Sequence, residues 1–319
     1  MQRRRLTLKK ISLYPTAVST SFDAICVCRL FNLHWSKLLS NAQILMSTES
    51  VAQEGPTSEK LAFALAETPS IALSRDAFLL NLPSGLRFHY AQGYGVRFSR
   101  PDTVTDAEVK LFLNGSVYGA IAWINGFLPL HTSAVIQDGK VHAIAGDSGA
   151  GKSTLAAALS IRGLPLFADD VLVLDMSNDM QIVALPGHKQ LKLWADALAL
   201  TELTAGERVS ESMEKYFVEP PLIDQARPLP LAALYFLDDH AQSVPTLSLI
   251  GGAERFKALS SALYRPEFCA ILVEKKDLFL QISRLARELE MCRFDRPRNR
   301  ELFSKGADFI ASAIREKNK

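Results

Sequence analysis

A run of small residues, Gly146-Asp147-Ser148-Gly149-Ala150-Gly151-Lys152-Ser153-Thr154, has the spacing of a phosphate-binding loop. Small side chains let successive backbone N–H groups point at one anion. Lys152 can add a positive charge at the β- and γ-phosphates, and the Ser153 hydroxyl can coordinate Mg²⁺. Apolar residues 141–145 predict a preceding strand, and residues 155–159 predict a helix whose N-terminus faces the phosphate. An ordinary glycine-rich turn is the alternative, but the flanking pattern favours nucleotide binding, with ATP and Mg²⁺ as the ligands.

Two adjacent carboxylates, Asp169 and Asp170, follow the predicted helix and lie between apolar segments. Neighbouring side chains on a strand point to opposite faces, so the two can take different roles. One can hold Mg²⁺ while the other accepts a proton from an attacking hydroxyl. A solvated loop pair is the alternative, and it is disfavoured because unpaired carboxylates between apolar segments are costly. Asp175 is a second candidate for the magnesium ligand, as in an ordinary ATPase, but Met176 follows it instead of a glutamate.

The elements that must position these groups follow from the apolar pattern. Asp138-Gly139 between two apolar runs predicts a hairpin that leads into the loop, with His131 before its first strand. Residues 61–99 predict short strands, residues 106–125 a helix, and residues 254–263, 265–290 and 297–317 predict helices. We therefore expect three parts: a basic leader (1–46), a small β-rich subdomain ending in a helix (47–126), and a nucleotide-binding domain with a helical tail (127–319).

Charge and cysteine content limit which partners and which compartment we expect. Residues 1–46 carry seven basic side chains against one acidic side chain, and the rest of the chain is net acidic. The leader is either a disordered tail with the composition of a targeting peptide or a start-site artefact before Met46, and both readings stay open. We expect no nucleic-acid partner, and no membrane partner because no apolar run is long enough to span a bilayer. The four cysteines are typical of reduced thiols, which favours a cytoplasmic protein; homo-oligomerisation stays open.

The segment from about His131 to Asp175 resembles the catalytic domain of the HPr kinase/phosphorylase family, which is related to the PEP-carboxykinase type of nucleotide fold. The resemblance rests on His131-Thr-Ser-Ala-Val, on the loop Gly146–Ser153 and on Phe167-Ala-Asp-Asp-Val171. It implies an α/β fold with a P-loop nucleotide-binding core, a small β-rich N-terminal subdomain and a helical C-terminal part. It also implies a serine kinase in which Asp169 is the general base, Asp170 helps to bind Mg²⁺ and His131 lies close to the transferring phosphate.

Two departures concern the substrate. Thr154 stands where HPr kinases usually have glutamate, and Leu185-Pro-Gly-His-Lys-Gln occupies the region of their glycine-rich signature. The arrangement is more similar to stand-alone HPr-kinase-like proteins, some of which phosphorylate a peptide serine, as in lasso-peptide clusters. The acceptor is therefore expected to be a serine of an HPr-like protein or of a biosynthetic precursor peptide, and the sequence leaves phosphorylase activity open.

Three functions follow from these residues. The first is an ATP-dependent kinase for a protein or peptide serine. The second is a catalytically silent ATP-binding regulatory module, disfavoured because Lys152, Ser153, Asp169 and Asp170 are all present. The third, an ATPase or transport motor, lacks the expected Asp-Glu magnesium pair. The sequence assigns no role to the downstream basic residues His188, Lys189, Lys192 and Lys215.

Overall fold

The computed structural model describes residues 61, 64–92, 95–210, 213–221, 227–239, 244–297 and 299–316. The predicted basic leader lies outside the described residues. Within these ranges the chain is a mixed α/β protein with three sheets. None of the helices described there is long and apolar enough to cross a membrane.

The first sheet has five antiparallel strands in chain order. Its side chains alternate as expected for a sheet with one face on the core: Phe88 and Tyr90 are buried and Arg87 is exposed. Gly85, in the turn before the strand Arg87–Ala91, has a φ of 87°, a conformation that favours glycine. The strands are β1 (Ala66–Glu67), β2 (Ile71–Leu73), β3 (Ala77–Asn81), β4 (Arg87–Ala91) and β5 (Gly95–Ser99).

A continuous helical segment follows and comprises α1 (Asp106–Phe112), a π-helical turn (Leu113–Val117) and α2 (Tyr118–Ile124). Thr105 caps its start by accepting a hydrogen bond from the Glu108 backbone N–H at 3.2 Å. A Cβ at Gly119 would lie 2.5 Å from the Tyr264 ring. The segment can therefore pack closely against Tyr264 only because glycine stands at that position.

The central sheet has nine strands and mixed direction. The strands are β6 (Leu128–Leu130), β7 (Ser133–Gln137), β8 (Lys140–Ala145), β9 (Leu166–Ala168), β10 (Leu172–Asp175), β11 (Val183–Leu185), β15 (Leu229–Asp238), β16 (Thr246–Leu249) and β17 (Glu290–Asp295). The spatial order is β6-β10-β11-β15-β8-β7-β9, with β17 also beside β15 and β16 beside β17. Strands β8 and β17 both pair in parallel with β15, so their carboxyl ends, Ala145 and Asp295, lie at the same edge as Asp238.

The predicted hairpin is formed by β7 and β8, with Gln137 opposite Lys140. Both turn residues, Asp138 and Gly139, have positive φ angles of 49° and 70°, the conformation that matches the twist of a two-residue hairpin. The hairpin thus places β8 in the interior of the sheet, and β8 ends at Ala145, immediately before Gly146.

The third sheet is small and antiparallel, with β14 in the middle. Its strands are β12 (Leu191–Trp194), β13 (Arg208–Ser210) and β14 (Met213–Val218). Helix α4 (Ala195–Thr201) follows β12 directly. One face of this sheet packs on helix α3 (Lys152–Ile161), in an apolar cluster that includes Leu191, Leu193 and Leu155.

The tail differs from the prediction of helices alone. It contains α5 (Gly252–Ser261), α6 (Pro266–Leu272), α7 (Lys275–Glu288), a 3₁₀ turn (Arg300–Leu302) and α8 (Phe303–Glu316), but also strands β16 and β17. Strand β17 lies inside the sheet, between β15 and β16, and Met291, Cys292 and Phe294 are all buried. A strand covered on both faces has no alternating pattern, and so the sequence does not distinguish it from a helix end.

Candidate active site

The predicted phosphate-binding residues form a loop between β8 and α3. Gly149 and Gly151 have φ angles of 81° and 87°, which glycine adopts at little cost. Lys152 opens α3 and is 7% exposed. Its ammonium group donates to the carbonyl oxygens of Gly146 at 2.8 Å and Asp147 at 3.0 Å. The lysine charge therefore rests against the backbone of its own loop.

The loop is held tightly from two sides. A Cβ at Gly146 would lie 3.1 Å from the Leu237 side chain of β15, and one at Gly151 would lie 2.8 Å from the guanidinium of Arg296. Arg296, just after β17, also donates a hydrogen bond to the carbonyl of Ala150. The positive φ angles of Gly146 and Gly151, 149° and 87°, favour glycine at both positions, and Leu237 leaves little room for a side chain at Gly146. Arg296 is a neighbour of the loop that the sequence did not reveal.

Asp169 is built into the interior beside the loop. It follows β9, is 3% exposed, and accepts a hydrogen bond from the Ser133 hydroxyl at 2.7 Å. Its other oxygen accepts from the Lys192 backbone N–H at 3.3 Å. Both carboxylate oxygens therefore have donors, which offsets the cost of burying the charge.

Asp170 takes a different position because its backbone has a φ of 71°. This left-handed conformation costs a non-glycine residue about 1–2 kcal/mol. Its carboxylate forms an ion pair with Lys192, and its other oxygen lies 3.4 Å from Nδ1 of His131. Nδ1 of His131 also lies 3.1 Å from the Asp170 carbonyl oxygen. The structure thus brings His131, Asp170 and Lys192 into one cluster.

Burial and charge set the pKa values of this cluster. Burial opposes ionisation of Asp170 most strongly, but the charge and hydrogen bond of Lys192 outweigh it and hold the pKa below its usual value. Burial, followed by the charge of Lys152, lowers the pKa of His131 against the pull of Asp170. Burial also opposes the charge of Lys192, yet Asp170 and Asp169 raise its pKa above the usual value. At neutral pH the cluster therefore holds an ionised Asp170, a charged Lys192 and a neutral His131.

A cavity of about 480 Å³ connects the loop with this cluster. Charged side chains in its lining include Lys152, Asp170, Lys192 and Lys215. Its lining is completed by His131, Ser133, Ser148, Gly149, Ala150, Gly151, Ser153, Thr154, Trp194, Asp196, Ala197, Leu200, Asp239, Arg296, Pro297, Asn299, Arg300 and Phe303. Of the predicted site residues, Gly146, Asp147 and Asp169 do not line it.

The basic residues without a predicted role separate into two pairs. Lys192 and Lys215 line the cavity, whereas His188 and Lys189 do not. The amide nitrogen of Asn114 lies 3.0 Å from Nε2 of His188. Lys189 donates to the Phe167 carbonyl at 2.7 Å, and its ammonium lies over the Phe167 ring. The cavity lysines could be recognised from sequence only as basic residues in strand-like segments, with no spacing that ties them to Asp170.

The donor set fits the ligands that the sequence predicts. A nucleotide needs a backbone cradle and a cation, and the loop supplies close-packed glycines and Lys152. Among the described residues no group of three or more His, Cys, Asp or Glu side chains could hold a metal ion. Mg²⁺ in nucleotide sites needs only one or two protein oxygens beside phosphates and water. Ser153 and Asp170, which both line the cavity, fit that requirement.

Comparisons with known proteins identify no family. No protein-family model matches the chain, and none of the curated proteins matches it. Among solved structures, the chain is similar to the HPr(Ser) kinase/phosphatase from Coxiella burnetii, with 14% identity and a TM-score of 0.33. The similarity covers 60% of this chain and 95% of that one. A likeness this weak identifies neither the fold nor the activity.

Proposed function

We propose that this protein is an ATP-dependent phosphotransferase of the HPr-kinase-like type that moves the γ-phosphoryl group of ATP to a serine hydroxyl. The serine belongs to a protein or to a peptide, such as an HPr-like protein or a biosynthetic precursor peptide. The observation that carries the proposal is the single cavity lined by Lys152, Ser153, Asp170 and His131. Phosphoryl transfer requires a cation for the phosphates, a magnesium ligand and a carboxylate that accepts the proton. Lys152 would supply the first and Ser153 and Asp170 the second, and the third would be Asp169, which adjoins the cavity at Lys192.

The polarity of the cavity supports a nucleotide as the donor. The loop and Lys152 line it and suit a triphosphate. Leu200 and Phe303 line it together with Thr154, which belongs to the first turn of α3. A flat apolar base fits such surface, so we place the phosphates at the loop and the base between α4 and α8.

The chain's own groups would act on the donor phosphates directly. Lys152 would exchange the carbonyls of Gly146 and Asp147 for the β- and γ-phosphate oxygens. Ser153 and Asp170 would hold Mg²⁺, which when bound neutralises charge on the phosphate oxygens. Asp170 is already ionised and oriented by Lys192, so it needs no proton loss before it can act as a ligand.

In the proposed transfer the serine oxygen attacks the γ-phosphorus, the bond to the β,γ-bridging oxygen breaks, and ADP leaves with the bonding electrons. The hydroxyl proton passes to Asp169, the predicted base. Asp169 is 3% exposed and accepts a hydrogen bond from the Ser133 hydroxyl, itself fully buried, at 2.7 Å. In the proposed transfer the acceptor hydroxyl takes the place of Ser133 at this carboxylate before it gives up its proton.

The test begins with binding. Lys152→Ala removes the positive charge of the phosphate-binding loop. We expect this change to weaken MgATP binding by about 10-fold or more in titration calorimetry. Lys257→Ala, on the exposed side of α5, is the matched control and should bind as wild type does. Equal affinity in wild type and Lys152→Ala would remove the basis of the proposal.

Label transfer then separates the kinase from the silent module. Wild type is mixed with γ-labelled ATP, Mg²⁺ and serine-bearing peptides in single-turnover amounts. Label on a peptide serine supports the kinase. Tight MgATP binding with no labelled peptide and no release of labelled phosphate would favour the regulatory module.

A further inference from the structure

The small sheet of β12 and β14 presents one charged face to the cavity. Along β12, Leu191 and Leu193 are buried in the core, whereas Lys192 and Trp194 point the other way. Trp194 lies directly opposite Lys215 on β14, so these two side chains share a face. Lys192, Trp194 and Lys215 therefore form one wall of the cavity.

The three lysines of the cavity have different partners. Lys152 donates to the backbone of its own loop, and Lys192 forms an ion pair with Asp170. In the part of the chain that the structure describes, no carboxylate lies within ion-pair distance of Lys215. Its ammonium lies 5.5 Å from the centre of the Trp194 ring, a favourable contact that leaves the charge available to an anion.

Lys215 belongs to the phosphate end of the cavity. On β12 and β14, Trp194 pairs with Lys215 and Lys192 pairs with Phe217, so Lys192 and Lys215 are diagonal neighbours on one face. Lys192 forms the ion pair with Asp170, and Lys152 and Lys215 line the same cavity as that pair. Lys215 is therefore beside the Asp170 cluster, where the last phosphate of a nucleotide bound on the loop would lie.

We propose that Lys215 binds the terminal phosphoryl group of the nucleotide as a second cation beside Lys152; the proposal rests on the proposed function. A terminal phosphoryl group carries more negative charge than the loop and Lys152 neutralise, and that charge spreads over its equatorial oxygens during transfer. A fixed cation in a partly buried site stabilises such charge without reorganising. The Trp194 ring lies beside this ammonium at the cavity wall.

The test compares MgATP with MgADP, which lacks only the terminal phosphoryl group. Titration calorimetry on the full chain measures both affinities in wild type, Lys215→Met, Lys215→Arg and Lys257→Met. We expect Lys215→Met to weaken MgATP binding about 10- to 100-fold, as for a hydrogen bond between charged groups. MgADP binding should change less than about 2-fold. Lys215→Arg should keep most of the preference for MgATP, and Lys257→Met should match wild type.

Several results would overturn the inference. The inference is refuted if Lys215→Met binds MgATP as tightly as wild type does. Equal weakening of MgATP and MgADP refutes it as well, because the lysine would then support the site as a whole. Wild type that binds neither nucleotide is a failure of the proposed function instead. If Lys215→Met does not unfold cooperatively on heating, Lys215→Gln takes its place, with the same expected loss for MgATP alone.

Discussion

His188 gives the protein a specific dependence of stability on pH. The Asn114 amide nitrogen lies 3.0 Å from Nε2 of His188. An amide nitrogen only donates, so Nε2 must accept, and the ring is neutral in this contact. Burial, followed by the charge of Lys192, lowers the pKa of His188 to about 4. The folded protein therefore resists protonation of this ring, whereas the unfolded chain does not.

The sign and size of the effect follow from linkage. The unfolded chain takes up a proton at His188 below a pH of about 6.5, and the folded protein does so only near pH 4. The folded state thus has its full stability above about 6.5 and loses it as the pH falls toward 4. At about pH 5 the pH lies about 1.5 units below the point at which the unfolded chain binds this proton. At about 1.4 kcal/mol per unit, the free energy of unfolding is therefore lowered by about 2 kcal/mol.

The perturbation is His188→Gln, which keeps an oxygen acceptor for Asn114 but cannot titrate. Urea unfolding of wild type and variant at pH 7 and at about pH 5 measures the free energy of unfolding of each. Other titrating groups, His131 among them, are present in both proteins, so the comparison cancels them. Wild type should lose about 2 kcal/mol more than the variant on acidification. Equal losses in the two proteins would show that His188 is protonated in the fold and would refute the reasoning.

Two further predictions concern the carboxylate pair. Lys192→Met leaves the charge of Asp170 largely buried without its partner, so we expect about 3–5 kcal/mol of destabilisation in urea. The Lys192→Met, Asp170→Asn double variant should recover much of this loss. Additive losses would argue against the ion pair. In single-turnover transfer from labelled ATP, Asp169→Asn should slow the reaction about 10²- to 10⁴-fold, toward the low end for a loose transition state, while Asp170→Asn should raise the Mg²⁺ concentration required. A wild-type rate in Asp169→Asn would remove Asp169 as the base.

Local signals explain what could be predicted from the sequence. The hairpin at Asp138-Gly139 depends on two adjacent residues that tolerate positive φ, and the helix of residues 106–124 depends on its own apolar spacing. The order strand, loop, helix around Gly146 is likewise contained in one short segment. Each of these features is fixed by neighbours in the chain, so no knowledge of the tertiary structure is needed.

The cavity wall could not be predicted because it depends on pairing across distance. Trp194 meets Lys215 only through the register of β12 and β14, and Lys192 reaches Asp170 only because that sheet packs on α3. Arg296 reaches the loop through a parallel strand, β17, that the pattern does not separate from a helix. Register and packing are decided by the whole fold, which leaves no local trace in the sequence around these side chains.

The opposite orientations of the two carboxylates have a cause that strand alternation did not anticipate. Strand β9 ends at Ala168, before the pair, so alternation along a strand does not apply to Asp169 and Asp170. The left-handed conformation of Asp170 instead turns one side chain inward to Ser133 and the other toward Lys192 and His131. This conformation costs about 1–2 kcal/mol. It persists because relaxing the backbone would break the buried ion pair between Asp170 and Lys192, which would cost more. Both carboxylates are thereby held in fixed positions by their hydrogen-bond and ion-pair partners within the fold. Under the proposed function this is the preorganised charge that phosphoryl transfer requires.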